Sequence, residues 1–95
     1  DSGIEVDLDG LVTTQQIEFN LDGNNSYLIE YRKNGKVVAR QRLEDQPTEP
    51  GMLISCLETP QRAIQTGFNT IRIFSILGDG DYSLGHLRLD RCSQN

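Results

Sequence analysis

The two cysteines of the chain, Cys56 and Cys92, are the residues whose chemistry the sequence predicts most directly. Their wide separation excludes the close paired spacing of zinc sites and of thioredoxin-like redox motifs, so a structural disulfide is the expected product. Closing a loop of this length stabilises a fold by about 4 kcal/mol in the chain-entropy model. The alternative is a pair of buried free thiols in a cytosolic protein. Because small extracellular domains often use such bridges, we expect a disulfide and an extracytoplasmic location, periplasmic or secreted.

Acid–base catalysis finds little support in the residue types. The single histidine, His86, lies between Gly85 and Leu87 in a predicted strand, and no Gly-x-Ser-x-Gly motif accompanies it. We expect His86 to be a half-covered strand residue. Several of the 14 acidic residues, such as Glu5 and Asp7, alternate with apolar residues as a solvated strand face does. The sequence therefore predicts no catalytic residue.

Metal binding and glycosylation each have weak motifs. Asp79 and Asp81 flank a glycine, and Asp7 and Asp9 stand near the start of the chain, but neither pair matches the calcium loop of an EF-hand. Each pair would supply at most part of a calcium site, so no metal site and no cofactor are predicted. The triplet that begins at Asn24 is an N-glycosylation sequon on a predicted turn.

Carbohydrate binding is the function for which the residue types give positive support. Sugars are held by an aromatic ring with polar side chains around it, and Tyr27, Tyr31 and Tyr82 lie near loops rich in Asn and Asp. Asp79 and Asp81 would be hydrogen-bonding residues beside Tyr82. The absence of tryptophan counts against this interpretation. The alternative is that the tyrosines lie at the core edge and their hydroxyls reach water.

Composition excludes several classes of partner. The chain has nine Lys and Arg residues against 14 Asp and Glu, so its average field repels nucleic acid and anionic membrane surfaces. No apolar run approaches the roughly 20 residues that span a bilayer. A length of 95 residues fits one domain with one core, residues 1–95. The expected partner is a glycan or another protein.

Alternating apolar and polar residues predict about seven strands separated by turns. The most secure feature is the hairpin at Asn34-Gly35, since a type I′ turn needs positive φ at both positions. Gly10 is expected to end the first strand, and residues 44–51 to form a surface loop. Residues 59–66 are expected to form a short helical turn with Thr59 as N-cap and Gly67 in the left-handed C-terminal position.

These elements predict an all-β fold, an antiparallel β-sandwich of jelly-roll type, with an up-and-down barrel as the second choice. The last strand changes its apolar phase near Gly85, which predicts a β-bulge there. The predicted strands cover residues 4–9, 14–21, 26–32, 37–39, 52–57, 69–77 and 82–90.

The last third of the chain contains the runs 67–73 and 78–89, which read GFNTIRI and GDGDYSLGHLRL. They resemble the ends of bacterial glycosyltransferase-like membrane proteins related to arabinofuranosyltransferases, in which a small extramembrane β-domain follows the membrane helices. The resemblance implies an exported accessory domain near glycans. It carries over no catalytic residue, because the lipid-linked sugar transfer of that group is placed elsewhere in the protein. The chain departs from the group in its cysteine-bearing tail and in having no membrane segment.

Three functional hypotheses follow from the sequence. The first is a non-catalytic binding or accessory module whose loops contact a glycan or a partner protein. The second is a structural subunit that assembles with itself or with a larger complex through its sheet edges. The third is a small hydrolase built on an unrecognised pair of carboxylates.

Overall fold

The computed structural model describes residues 3–46, 51–78, 82–90 and 92. Among these residues the all-β prediction is confirmed, because seven strands form two antiparallel sheets and the helical content is one short helix. In chain order the elements are β1 (Ile4–Val12), β2 (Gln16–Asp22), β3 (Ser26–Lys33), β4 (Lys36–Leu43), β5 (Met52–Glu58), α1 (Gln61–Thr66), β6 (Phe68–Leu77) and β7 (Leu84–Leu89).

The two sheets form the faces of a sandwich. The four-stranded sheet has the order β1-β6-β3-β4, and the three-stranded sheet has the order β5-β2-β7. All neighbouring strands are antiparallel. The predicted hairpin between β3 and β4 is confirmed, since φ is 51° at Asn34 and 86° at Gly35. The described strands are one fewer than the eight of a jelly roll.

The core lies between the sheets and is built from alternate residues of their central strands. Successive side chains of a strand point to opposite faces, so a period of two sorts apolar residues inward. The face of β2 that carries Phe19 meets the face of β3 that carries Ile29, and both residues are fully buried. The buried apolar residues are Ile17, Phe19, Leu21, Tyr27, Ile29, Tyr31, Ala63, Phe68, Ile71 and Ile73.

The first strand corrects one prediction, because β1 does not end at Gly10 but continues to Val12. Gly10 has a φ of 90°, and the pairing of β1 with β6 changes register between Asp7 and Val12. A glycine at positive φ lets a strand bulge and then resume its pairing, so the residue that was expected to stop β1 bends it instead.

Helix α1 corrects a second prediction, because its N-cap is Pro60 and not Thr59, and no side chain caps it. The backbone N–H of Thr59 donates to the carbonyl of Gln15 at 3.0 Å, which holds Thr59 against the segment before β2 and moves the helix start one residue along. Gly67 has the expected positive φ of 77°, but its ψ of 159° is extended and leads directly into β6.

The predicted bulge in β7 is confirmed. Phe19 pairs with Leu87 and Leu21 pairs with Leu84, so β7 has one residue more than β2 in this interval. Gly85 fits there because a Cβ at its position would lie 2.6 Å from the Asn20 side-chain nitrogen. Leu84 and Leu87 are three positions apart and would point to opposite faces of a regular strand. The bulge keeps both on the core side.

Candidate functional site

Two of the predicted sugar-binding tyrosines have another role. Tyr27 and Tyr31 are 1% and 0% exposed, so neither ring offers a face to a ligand, and the prediction is wrong for both. They lie on the inward side of β3, a central strand of the four-stranded sheet. Their position follows the same period of two as that of Ile29, and tyrosine rings in a core contribute large apolar area.

The hydroxyl groups of both tyrosines are hydrogen-bonded at the core edge. The Tyr27 hydroxyl donates to the Asp22 carbonyl at 2.9 Å, and the Tyr31 hydroxyl donates to Gln41 Oε1 at 2.6 Å. Burial, with the Asp22 charge adding to it, raises the pKa of Tyr27 to about 12. Burial also raises the pKa of Tyr31. Both side chains are therefore neutral structural groups at ordinary pH.

The third tyrosine, Tyr82, is only partly buried and borders an open cleft. Its ring packs edge to face against Tyr27, with ring centroids 5.9 Å apart. The cleft has a volume of about 180 Å³. We call it the Tyr82 cleft; its lining residues are Asp22, Met52, Tyr82 and Ser83. Asp79 and Asp81, the acids predicted beside Tyr82, lie outside the described residues.

A turn fixes the acidic side of the Tyr82 cleft. The carboxylate of Asp22 accepts a hydrogen bond from the Asn24 backbone N–H at 2.9 Å. The backbone carbonyl of Asp22 accepts a hydrogen bond from the Tyr27 hydroxyl. Asn24, the predicted glycosylation residue, is exposed on this turn. Ser26, the third residue of the sequon, is buried and its hydroxyl donates to Asp45 at 3.2 Å. The turn thus orients Asp22 without covering it.

A buried carboxylate that the sequence interpretation missed lies on the outer face of the three-stranded sheet. Glu18 is 0% exposed, and His86 Nε2 lies 2.6 Å from its Oε2 atom. Arg88 Nε is 3.8 Å from the same oxygen. The side chains of His86 and Arg88 are 31% and 53% exposed, so both partners reach solvent while the carboxylate does not. We call these three residues the Glu18 cluster.

The Glu18 cluster follows from strand register and from the disulfide. Glu18 pairs with Cys56 on one side and with Arg88 on the other. The predicted disulfide is confirmed: Cys56 and Cys92 are bonded, with Cα atoms 5.8 Å apart. Asp90 still donates from its backbone to Gln16 on β2. The bridge therefore links Cys92, two positions after Asp90, to β5, which lies on the other side of the strand that carries Glu18 in the sheet order.

The chemistry of the Glu18 cluster is that of an oriented imidazole. The hydrogen bond between His86 Nε2 and Glu18 Oε2 fixes the orientation of the imidazole ring. Within the part of the chain that the structure describes, no serine, threonine or cysteine is hydrogen-bonded to His86. The cluster therefore lacks the contact between nucleophile and base that defines a catalytic triad. His86 is half-covered on its strand, as the sequence predicts.

A second buried carboxylate, Glu30, lies on the outer face of the four-stranded sheet. Nε and Nη2 of Arg32 both donate to its Oε1 atom, and Arg40 Nε donates to Oε2 at 3.3 Å. Burial alone would raise the pKa of Glu30, but the hydrogen bonds and charges of Arg32 and Arg40 outweigh it and lower that pKa below its usual 4.5.

Glu30 belongs to a row of charges that crosses the whole four-stranded sheet. Glu5 pairs with Arg72, Arg72 pairs with Glu30, and Glu30 pairs with Arg40 in the strand register. The signs alternate along the row, and Arg72 Nε lies 3.5 Å from Glu5 Oε1. We call this row the charge ladder; its members are Glu5, Arg72, Glu30 and Arg40.

The described residues hold neither a metal-binding cluster nor a membrane-spanning helix. No group of three or more His, Cys, Asp or Glu residues is placed to hold a metal ion in residues 3–46, 51–78, 82–90 and 92. In the same residues, no helix has the length and apolar character needed to cross a membrane. Comparison of the chain with family models, curated proteins and solved structures finds no match. The resemblance to glycosyltransferase-related domains thus stays a prediction.

Proposed function

We propose that this domain is a non-catalytic binding module that works outside the reducing cytosol, periplasmic or secreted, and that it holds one residue of a glycan in the Tyr82 cleft. The observation that supports the proposal is the position of a partly exposed Tyr82 ring beside the Asp22 carboxylate. A ring face for the C–H side of a sugar and an acceptor for its hydroxyls are the minimum that sugar recognition requires.

The surroundings of the cleft support a small ligand and weak binding. Its volume of about 180 Å³ is below the about 300–1,000 Å³ of pockets that enclose drug-sized ligands. Met52, which is 45% exposed, adds an apolar contact, and the turn at Asn24 holds the Asp22 carboxylate in place. One sugar ring at the end or at a branch of a chain matches this size. Weak single sites of this kind gain strength by repetition along a polymer.

The location outside the cytosol is supported by the disulfide and by the resemblance in the last third of the chain. A bridge between Cys56 and Cys92 persists in oxidising compartments and is rare in the cytosol. The runs 67–73 and 78–89 resemble the small extramembrane domains of glycosyltransferase-related proteins, and this resemblance implies an exported domain near glycans. Both observations agree with a ligand on the cell surface or in its envelope.

The test is an amide chemical-shift titration of the whole chain with neutral and acidic oligosaccharides. We expect shift changes concentrated at Asp22, Met52, Tyr82 and Ser83. Asp22→Asn should weaken binding about tenfold, because a charged hydrogen bond is worth about 1.5–3 kcal/mol. Tyr82→Phe should bind nearly as well as the native chain, since the ring remains.

The matched control is Asp9→Asn, which removes an exposed acid from β1 on the other sheet and should leave binding unchanged. Tyr82→Ala should abolish binding, and its melting curve shows whether the loss of the contact with Tyr27 also weakens the fold. Shift changes that cluster away from the cleft, or no changes at millimolar sugar, would refute the proposal.

A further inference from the structure

The charge ladder is open at both ends, and its two ends are complementary. Its inner members, Arg72 and Glu30, have side chains 19% and 10% exposed and are flanked by opposite charges. Its end members, Glu5 on β1 and Arg40 on β4, have side chains 50% and 60% exposed. Among the described residues, each end has a ladder neighbour on one side only, because β1 and β4 are the two edges of the four-stranded sheet.

We propose that copies of this chain join head to tail through these edges, with β1 of one copy pairing with β4 of the next and Glu5 entering register with Arg40. The four strands alternate in direction, so an antiparallel β1 next to β4 continues the pattern of the sheet. Edge strands carry backbone donors and acceptors that a further strand satisfies. The backbone supplies the attraction, and the ladder selects the register.

The charges of the two edges favour this pairing over the symmetric ones. All charged residues of β1 are acidic and all charged residues of β4 are basic. Pairing β1 with β1 or β4 with β4 would place like charges opposite one another, which is unfavourable across strands. A head-to-tail pair still has one unpaired β1 edge and one unpaired β4 edge, so the expected product is an assembly larger than a dimer, either an open chain of copies or a closed ring. The charged residues are Glu5, Asp7 and Asp9 on β1 and Lys36, Arg40 and Arg42 on β4.

The test is sedimentation velocity of the whole chain over a range of concentrations at low and high salt. We expect the mean mass to rise with concentration beyond that of a dimer, and to fall when salt screens the edges. Glu5→Lys and Arg40→Glu should each weaken association by about tenfold or more, because each places like charges across the contact. An equimolar mixture of the two variants should associate again, since each variant then meets the opposite charge on its neighbour.

Two control variants carry the same changes of charge away from the ladder. Glu58→Lys on β5 and Arg62→Glu on α1 alter exposed residues and should associate as the native chain does. Recovery in the mixture shows that both edge variants are folded. A chain that stays monomeric at high concentration and low salt would overturn the proposal and leave the edges open to strands of other proteins. Association that stops at a dimer, or a mixture that fails to recover, would also overturn it.

Discussion

Two segments of the chain have nearly the same local sequence and end in different surroundings. Ile17-Glu18-Phe19 lies on β2 and Ile29-Glu30-Tyr31 lies on β3, and in both the apolar residues face the core while the acid points outward. β2 and β3 are both inner strands of their sheets. Both acids are nonetheless buried on the outer face, with exposures of 0% and 7%.

The difference lies in what the neighbouring strands place beside each acid. Glu30 pairs with Arg72 on β6 and with Arg40 on β4, so it has a positively charged residue on each side across the sheet. Glu18 has Arg88 on one side, and on the other Cys56, which brings a disulfide and no charge. Glu30 thus belongs to a continuous row of charges, whereas Glu18 has a bridged cysteine as its neighbour on β5. Two similar triplets therefore place their acid beside charged residues on both sides in one sheet and beside a disulfide on one side in the other.

Removing the disulfide should destabilise the fold and change the surroundings of Glu18, while the charge ladder on the other sheet stays unchanged. In the double variant Cys56→Ala with Cys92→Ala, the free energy of unfolding should fall by about 4 kcal/mol, because 36 positions separate the bridged residues. Denaturant titration measures this loss. Amide shifts at Glu18 and Arg88 should change in the folded variant, while those at Glu30 stay. A loss below about 1 kcal/mol, or equal shifts at both acids, would contradict this view of the bridge.

Neutralising each acid in turn compares the two sites directly. Glu18→Gln should lower the free energy of unfolding by about 2 kcal/mol, less than the loss of a fully buried ion pair, because its partners His86 and Arg88 reach solvent. Glu30→Gln should cost about 1 kcal/mol, since its partner Arg40 is exposed.

The matched control is Glu58→Gln, an exposed acid on β5, which should change stability by less than about 0.5 kcal/mol. If Glu30→Gln proved the more costly substitution, the outer face of the four-stranded sheet, and not the bridged one, would be the more tightly constrained.

The fold was predictable because it depends on local signals. A period of two identifies Ile71 and Ile73 as inward and Arg72 as outward without any knowledge of the partner strand. The turn at Asn34-Gly35 and the bulge at Gly85 are likewise encoded in neighbouring residues. The wrong predictions at Gly10 and Thr59 concern the end of β1 and the start of α1. Such boundaries depend on contacts with distant segments, as the hydrogen bond from Thr59 to Gln15 shows.

The sites were much less predictable, because they depend on register between strands. Nothing near Glu18 in the sequence indicates that His86 and Arg88 will lie beside it, 68 residues away in the case of His86. The period of two assigns an outward acid to solvent and so misses both buried carboxylates. It also places Tyr27 and Tyr31 inward, and that signal was available to exclude them as ligand residues.

The contribution of Glu30, a member of the charge ladder, to the free energy of unfolding should depend on pH. The pKa of Glu30 is lowered from its usual 4.5 in the folded state, so the unfolded chain binds the proton more tightly. The stabilisation by Glu30 is therefore complete above about pH 4.5 and is lost as the pH falls through the folded-state pKa.

The difference in melting temperature between the native chain and Glu30→Gln measures this contribution. We expect about 4–8 °C near neutral pH, which corresponds to about 1 kcal/mol for a domain of this size, and a decrease in this difference as the pH falls through the folded-state pKa of Glu30. Arg42 and Glu44 provide the internal comparison, because both are exposed and their contact at 2.8 Å should contribute little at any pH. A difference that stayed constant with pH would mean that Glu30 stabilises the sheet by its shape and not by its charge.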